Sequence, residues 1–423
     1  MKRQTFTLLA AILLGTSTTA MAVDWMQFRG PGGSARSDAK DIPDKWSETE
    51  NIVFKTKLPG LGSSSPITVG DAIYLTCYSG YAESIKEPGE QMDLLRHLVC
   101  LDRKTGAIRW AKEFKPELPE SVYRAGTDSH HGYASSTPVS DGKHIYVFFG
   151  KSGVFCFDLK GEKLWSTSVG KGTTGWGSAT SPVLYKDLVI VNAAVESGAM
   201  VALKKSDGKE VWKFPGTGSA WGSPMLVEAP GGKTEVVLSL AGKTGKIVGL
   251  DPESGKKLWS CEGNNDGYVV TSVVSNEGIV YAIGGRANRS VAIKAGGSGE
   301  VMPVWVTRLD SRVNSPVYHE GHLYWLNEQR AQVSCLDAAT GKEVYTERIT
   351  GIGRAYASPV YADGKIYFVS DTGSTFVIAA KPKYELLATN KLGDTSRTNA
   401  SPVIDDGRLL IRTDKHLYCI GKK

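Results

Sequence analysis

Residues 137–168 read TPVSDGKHIYVFFGKSGVFCFDLKGEKLWSTS, and this stretch decides the fold. Short runs of β-branched and aromatic residues alternate in it with Asp-Gly, Ser-Gly and Lys-Gly pairs, which favour tight turns. The pattern predicts four antiparallel strands, A to D, at 137–140, 144–149, 154–158 and 163–168. Nothing after residue 22 shows a helical period over ten or more residues, so we expect an all-β chain.

The start of this unit recurs along the chain. A Ser-Pro or Thr-Pro pair, followed by apolar residues and a Gly/Asp turn, returns about every 43 residues, which is typical of propeller blades. One longer interval marks an insertion in the first unit. The eight positions are Ser65-Pro66, Thr137-Pro138, Ser181-Pro182, Ser223-Pro224, Ser272-Val273 (without the proline), Ser315-Pro316, Ser358-Pro359 and Ser401-Pro402.

The fourth strand of most units carries an aromatic residue. The last unit ends after its third strand, at 416–420, whereas residues 52–58 with Phe54 form an unpaired fourth strand near the start. Pairing the two segments would close the ring and leave no open sheet edge. The sequence therefore predicts an eight-bladed β-propeller of four-stranded antiparallel blades, closed by the N-terminal strand. The other fourth-strand markers are Trp110, Trp165, Trp212, Trp259, Trp305, Tyr345 and, more weakly, Leu386.

A motif between the third and fourth strands carries a family resemblance. The pattern Asp-x-x-(Thr/Ser)-Gly-x-x-x-Trp occurs at 102–110 and 251–259, with a tyrosine variant at 337–345. It resembles the pyrroloquinoline quinone (PQQ) repeat, which quinoprotein alcohol dehydrogenases share with the outer-membrane assembly factor BamB. WMQFRGP at 25–31, WSETEN at 46–51, GGRANR at 284–289 and RTDKHLYCI at 412–420 resemble a secreted bacterial branch of PQQ-like propellers. The resemblance covers nearly all of the chain after residue 22 and implies the fold, but no particular activity.

PQQ with Ca²⁺ is a cofactor that only the family resemblance implies. Quinoprotein alcohol dehydrogenases carry a vicinal Cys-Cys pair and Glu, Asn and Asp ligands for calcium. This sequence has no adjacent cysteines, and the ligands do not match residue by residue. We therefore assign no catalytic or cofactor-binding residue, and we favour a protein that is not an enzyme.

The first 22 residues read as a secretory signal. Lys2 and Arg3 precede an apolar run at 6–14, and Ala20-Met21-Ala22 gives a small-x-small pattern for cleavage after Ala22. The run is shorter than the roughly 20 residues of a membrane-spanning helix, and no cysteine follows it for lipidation. We expect a signal peptide at 1–22, an N-terminal extension at 23–50 and one propeller at 51–423, in the periplasm or secreted.

The charge of the sequence limits which partners are expected, and the positions of the cysteines indicate whether they form disulfides. The formal net charge is +6 without a basic block, so we do not expect nucleic acid as a partner. We also expect no transmembrane segment, and we expect a monomer. Four of the six cysteines share one repeat position, which small residues fill in other units. We predict buried free thiols there. The position holds Cys100, Cys156, Cys335 and Cys419, and elsewhere Ala202, Gly249 and Ala292.

Candidate binding residues lie where the B–C and D–A connections open on one face. The first unit carries an insertion of about twenty residues at 78–96 and a long D–A loop at 115–133. Long loops in compact folds often carry function, although decoration that protects the closure is the alternative.

The positions just before each A strand should surround the mouth of the central channel on this face. An aromatic half beside an arginine-rich half would suit an anionic or sugar-like ligand; side chains that merely plug the channel are the alternative. The histidines, including His319 and His322, lack clustered ligand spacing, so we expect no metal site. The mouth residues are His130, His131, Tyr133, Trp176, Trp221, Tyr268, Arg312, Asn314, Arg354, Tyr356, Arg397 and Asn399.

Together these features predict an exported, non-catalytic β-propeller that binds a protein or glycan partner on its B–C and D–A loops. The alternative is a PQQ-dependent quinoprotein oxidoreductase acting on an alcohol or an aldose sugar.

Overall fold

A computed structural model describes residues 23–84, 86–122, 132–242, 245–263 and 267–422. Eight antiparallel sheets follow one another around a central channel, and the strands run from A on the inside to D on the outside. The A strands of neighbouring blades contact one another around that channel. The predicted eight-bladed β-propeller is therefore confirmed. Among the described residues, no helix has the length and apolar character needed to cross a membrane.

The strand bounds follow the repeat. The first four blades are Ile67–Val69, Ala72–Ser79, Leu95–Asp102 and Ile108–Phe114; Val139–Ser140, His144–Phe148, Val154–Asp158 and Lys163–Thr167; Val183–Tyr185, Leu188–Ala193, Ala199–Lys204 and Glu210–Pro215; Met225–Glu228, Thr234–Ser239, Lys246–Leu250 and Lys257–Glu262. The last four are Val274–Asn276, Ile279–Ala282, Ser290–Lys294 and Trp305–Thr307; Val317–His319, His322–Asn327, Gln332–Asp337 and Glu343–Arg348; Val360–Ala362, Lys365–Val369, Thr375–Ala379 and Leu386–Asn390; Val403–Asp405, Arg408–Arg412, His416–Ile420 and, as strand D, Ile52–Lys57. Two short strands add parallel edges, Gly299–Glu300 on blade 4 and Arg36–Ser37 on blade 7, and 3-10 turns lie at Pro31–Gly33, Gln91–Asp93 and Gly150–Ser152.

The N-terminal strand closes the ring as predicted. Ile52–Lys57 pairs antiparallel with His416–Ile420, and Phe54 lies opposite Cys419. The last blade therefore joins the two ends of the described chain, and its outer strand comes from the N-terminal side.

Neighbouring blades dock through the aromatic residue of strand D and the turn glycine of the next blade. A Cβ atom built on Gly255 would lie 2.6 Å from the Trp212 ring, and one on Gly106 would lie 2.3 Å from Phe54. Both glycines have positive φ, which L side chains rarely adopt. The Trp212 Nε1–H also donates to the Pro252 carbonyl at 3.0 Å. The Asp-x-x-(Thr/Ser)-Gly…Trp motif is thus a blade-docking device. The same contact recurs at Gly161 on Trp110, Gly208 on Trp165 and Gly341 on Trp305.

The small residue of strand C is explained by its cross-strand partner. Cys100 lies opposite Trp110, and a Cβ atom on Gly249 would lie 2.2 Å from the Trp259 ring. In blade 7 the sizes are exchanged, because Val377 faces Ala388. Assigning Leu386 as the fourth-strand marker was therefore wrong: the register puts Ala388 at that position, and Leu386 is exposed.

All six cysteines are buried and unpaired, which confirms the prediction of free thiols. Cys77 lies opposite His97 and Cys100 opposite Tyr74, so the two thiols are separated along the same pair of strands.

Residues 24–50, which we call the N-terminal strap, cross the face that carries the A–B and C–D turns. The strap begins on blade 1, where the Trp25 N–H donates to Thr68 Oγ1 at 2.8 Å, and touches blade 2, where the Ser140 N–H donates to the Met26 carbonyl at 2.8 Å. It then pairs in parallel with strand A of blade 7 through Arg36 and Ser37. The strap therefore joins blades that are not neighbours in sequence.

Arg29 anchors the strap on the far side of the channel. Its guanidinium is buried and donates to the carbonyls of Ser315 and Pro316 in blade 6 and of Gly33 in the strap itself. Burial lowers the pKa of Arg29 to about 9, so the side chain stays protonated at neutral pH. The strap thereby obstructs the turn-side end of the channel.

Candidate partner-binding face

The face opposite the strap, with the B–C and D–A connections, is called the loop face below. Strands B and C of blade 1 extend further than the sequence indicated, because Tyr78 pairs with Arg96 and Ser79 with Leu95. The predicted insertion at 78–96 was therefore too wide. The inserted connection is 80–94, and its residue 85 lies outside the described residues.

The two long connections of blade 1 are fastened to each other. The Gln91 amide donates to the Glu120 carbonyl at 2.8 Å, and the Glu120 N–H donates back to Gln91 Oε1 at 2.9 Å. Glu120 also forms an ion pair with Arg96, which donates to the Phe149 carbonyl of blade 2. Lys151 of blade 2 donates to the Pro119 carbonyl at 2.8 Å. The described parts of these loops are therefore held in place on the face of blades 1 and 2.

A buried carboxylic acid lies beside these contacts between the two loops. Glu196, in the B–C turn of blade 3, is 5% exposed and lines the same small cavity as Arg96 and Glu120. Burial raises the pKa of Glu196 to about 7, because desolvation disfavours the charged form.

The raised pKa gives a testable pH dependence. Between about pH 4.5 and 7 the unfolded chain releases the Glu196 proton while the folded chain retains it, so the unfolding free energy falls as pH rises through this window. We expect Glu196→Gln to be more stable than the parent at pH 8, by about 1–3 kcal/mol, and equally stable at pH 4. Urea unfolding at both pH values measures this difference.

The exposed Glu210→Gln variant is the control for the loss of one negative charge. A Glu196→Gln variant that lost stability equally at pH 4 and pH 8 would contradict the assignment of a buried, titrating carboxyl group.

Four large apolar side chains stand out from the loop face. Met92 in the B–C connection and Leu118 and Val122 in the D–A loop of blade 1 are 80%, 37% and 64% exposed. Trp176, in the D–A connection leading to blade 3, is 57% exposed. The loops that carry Leu118, Val122 and Trp176 lie close together, because Glu120, Ser121 and Gly177 line one cavity. Exposed apolar groups on an ordered loop platform are characteristic of protein interaction sites.

Most described rings of the predicted aromatic half of the mouth make contacts within the protein. Tyr133 is buried against Tyr78 and Tyr81, and its hydroxyl donates to the Ser121 carbonyl at 2.7 Å. The Trp221 Nε1–H donates to the Gly177 carbonyl at 2.8 Å, and the Arg286 guanidinium lies 4.9 Å from the ring centre of Tyr268. Of these aromatic residues only Trp176 presents an exposed ring. His130 and His131 lie outside the described residues.

Acidic residues that the sequence interpretation missed lie beside the predicted arginine-rich half, to which their backbones are hydrogen-bonded. The Asp371 N–H donates to the Arg354 carbonyl at 2.8 Å, and the Asp414 N–H donates to the Arg397 carbonyl at 2.7 Å. Burial raises the pKa of Asp414 to about 6, against the opposing effect of Arg397. In blade 6 Glu328 takes the corresponding place near Arg312, and burial raises its pKa.

These acids change the expected ligand. Asp371, Arg397 and Asp414 line a cavity of about 360 Å³ together with Glu83 from the insertion of blade 1. The mouth is thus a mixed-charge surface rather than a cationic one, which removes the argument for an anionic ligand. These acids could have been predicted from the sequence, because Glu328, Asp371 and Asp414 are spaced at the 43-residue period of the repeat.

The remaining predicted mouth residues differ in exposure. Asn314 is fully buried and donates to the Ala355 carbonyl at 2.6 Å, whereas Arg354 is exposed and Tyr356 and Asn399 are partly buried.

No ligand set for the PQQ and Ca²⁺ of the quinoprotein alcohol dehydrogenases is identified among the described residues of the mouth. Within the described ranges, no three His, Cys, Asp or Glu side chains converge as metal ligands, and the sequence has no vicinal cysteine pair. Calcium needs six to eight oxygen ligands. No redox step is therefore assigned to these residues.

Fold and surface together define a PQQ-like β-propeller with an elaborated loop face. The family described as outer membrane protein assembly factor BamB matches residues 96–347. The chain belongs to this family.

Known relatives agree with that assignment. The outer membrane protein assembly factor BamB of Burkholderia pseudomallei (strain K96243) is 24% identical over 188 residues, which cover 43% of this chain and 39% of that protein. The chain thus matches well under half of the length of this relative.

Among solved structures, BamB from Moraxella catarrhalis superposes with a TM-score of 0.62 at 14% identity, over 88% of this chain and 97% of that one. A europium-containing methanol dehydrogenase gives a TM-score of 0.68 at 12% identity, over 94% and 98%. The quinohemoprotein alcohol dehydrogenase from Comamonas testosteroni gives 0.64 at 11% identity, over 95% and 81%. At these identities the likeness concerns the fold alone.

Proposed function

We propose that this chain is a non-catalytic propeller that binds a protein partner through its loop face. The observation that carries the proposal is the set of exposed apolar side chains Met92, Leu118, Val122 and Trp176 on the loop face, of which Met92 and Leu118 lie close to the hydrogen-bonded pair Gln91 and Glu120. Exposed apolar groups that are grouped on one face, rather than scattered singly, are typical of surfaces that a partner covers. The family supports the same direction, because its description is that of an assembly factor.

The arrangement suits protein recognition better than catalysis. Buried apolar anchors surrounded by polar groups give protein interfaces most of their affinity, and the mixed charges of the channel mouth add polar groups to the same face. Since Gln91 and Glu120 already hold the loops, little conformational entropy is lost when a partner binds. The glycan partner considered from the sequence has weaker support, because among the described mouth residues only Trp176 offers an exposed ring for stacking. Monomeric state, export and cleavage after Ala22 remain predictions.

The proposal is tested with a polar triple variant of the loop face. We expect Met92→Ser, Leu118→Ser, Val122→Ser to lose the partner that copurifies with the parent from the native cell envelope, by about tenfold or more, because each buried apolar anchor contributes roughly 1.5–3 kcal/mol. Quantitative mass spectrometry of the copurified proteins measures the loss.

The matched control replaces exposed apolar residues of the outer rim, Leu164→Ser, Val211→Ser and Leu386→Ser. Equal recovery of the partner with the parent and with the loop-face variant would overturn the proposal.

The quinoprotein alternative is favoured by the PQQ-like repeat motif and by the likeness of the fold to two dehydrogenases. Titration of the purified protein with PQQ and Ca²⁺, followed by absorbance and by dye-linked oxidation of alcohols and aldose sugars, separates the two functions. We expect no saturable uptake at micromolar PQQ. Tight uptake with turnover would replace the binding proposal by the enzyme.

A further inference from the structure

The turn-side end of the channel contains a cavity of about 490 Å³. The strap closes one side of it, with Met26, Phe28 and Pro31, and blades 2 to 5 form the other side. Most of its surface is apolar, including Val139, Leu184, Leu226 and Val273. The volume lies within the roughly 300–1,000 Å³ of ligand pockets, and exposed Val23, Pro31 and Gly32 form part of its wall at the protein surface.

The walls of this cavity include unpaired strand edges. In the described chain, strand A is the last strand of the sheet in blades 3, 4 and 5, and no backbone hydrogen bond from the strap reaches it. The edges that face the cavity belong to Val183–Tyr185 and Met225–Glu228. Strand edges present N–H and C=O groups that another strand can bind.

The strap shows that A-strand edges of this channel accept an extended chain. It pairs in parallel with strand A of blade 7, and it also binds the edges of blades 1 and 2 by single backbone hydrogen bonds. Blade 3 repeats the same edge beside free volume, and in blade 4 strand A lines that volume next to the strap residues Pro31–Gly33, which contact it without pairing. An apolar small molecule would use the cavity surface but would leave these polar edges unsatisfied.

We propose that the channel beneath the strap binds the extended end of an apolar polypeptide, which adds as a strand to the A strands of blades 3 and 4. In this mode the backbone hydrogen bonds supply affinity, and alternate side chains enter the apolar cavity. The Asp141–Lys205 ion pair at the cavity wall leaves no net charge there to favour a charged peptide. This site lies on the face opposite the loop face, so it does not rest on the function proposed above.

The probe is the hexapeptide VTVTVT with an N-terminal fluorescein, and the control probe is the same peptide N-methylated at alternate amides. We expect fluorescence anisotropy to show binding of the unmethylated peptide about tenfold tighter or more, because only it donates all backbone hydrogen bonds. Hydrogen exchange at residues 183–185 and 225–228 should slow on binding.

Two protein variants locate the site. Leu184→Trp, which fills the cavity, should weaken binding about tenfold, whereas Tyr185→Trp, the next residue of the same strand but outside the cavity wall, should leave it within about twofold. Leu226→Trp serves as a second cavity-filling variant if Leu184→Trp unfolds at lower temperature than the parent.

Several results would overturn the proposal. Absence of saturable binding would remove the site, and equal binding of the methylated peptide would reduce it to an apolar small-molecule pocket. Dimerisation that Leu184→Trp abolishes, without peptide binding, would assign the cavity to a second copy of the chain.

Discussion

A chain that begins at Ser47, and so lacks most of the N-terminal strap, should lose about 5–8 kcal/mol of unfolding free energy. The removed segment buries Trp25, Ile42 and Trp46 almost completely, and burying one large apolar side chain contributes roughly 1.5–3 kcal/mol. The hydrogen bonds between Trp46 and Asn390 and between Asp44 and Asn390 are lost as well. Urea unfolding of the shortened and parent chains measures the difference.

The shortened chain keeps Ile52–Lys57, so the ring itself can still close. Trp25→Ala and Trp46→Ala, at about 3–5 kcal/mol each, test the two ends of the strap separately. An unfolding free energy within 1 kcal/mol of the parent, an ordinary experimental scatter for such comparisons, would mean that the strap does not hold the blades together.

Replacing Arg103 by methionine should cost about 2–4 kcal/mol, since it leaves the buried carboxylate of Asp405 with Arg408 as its remaining ion-pair partner and removes the partner of Asp24. Arg103 lies in the C–D turn of blade 1 and is buried. Its guanidinium donates to Asp24 of the strap and to Asp405 of blade 8, both at 2.6 Å. One side chain therefore ties the strap to both sides of the seam at which the ring closes. Thermal and urea unfolding of the variant measure the loss.

Arg109→Met is the matched control. Arg109 also pairs with two carboxylates, Asp71 and Asp102, but on the surface of the same blade, where ion pairs contribute roughly 0–1 kcal/mol. Equal effects of Arg103→Met and Arg109→Met would contradict the role of Arg103 at the seam.

Much of the fold could be predicted because the same local sequence pattern occurs in all eight repeats. The Ser-Pro pairs and the turn glycines gave the blade count, and the unpaired strand around Phe54 gave the closure. Errors arose where one blade departs from the rule. In blade 7 a larger residue in strand C, Val377, permits the small Ala388 in strand D. The expectation of a large residue in strand D led to the wrong assignment of Leu386.

The site was predicted less well, because its features depend on contacts between distant segments. Arg29 binds carbonyls of blade 6 that lie 286 and 287 residues away in sequence, and no local pattern indicates this contact. The mouth arginines were visible, but their acidic neighbours come from a different connection of each blade and were missed. Tyr133 has the kind of aromatic side chain that often contacts ligands, yet its ring is buried against Tyr78 and packs within the protein.

Site-specific photo-crosslinking in the cells that make the protein tests its proposed function most directly. A photoreactive phenylalanine analogue replaces Met92 or Val122 on the loop face, or Leu164 or Leu386 on the outer rim as controls of comparable exposure. The account predicts a discrete crosslinked protein from positions 92 and 122 and none from 164 and 386. Adducts from the rim positions alone, with none from the loop face, would contradict it.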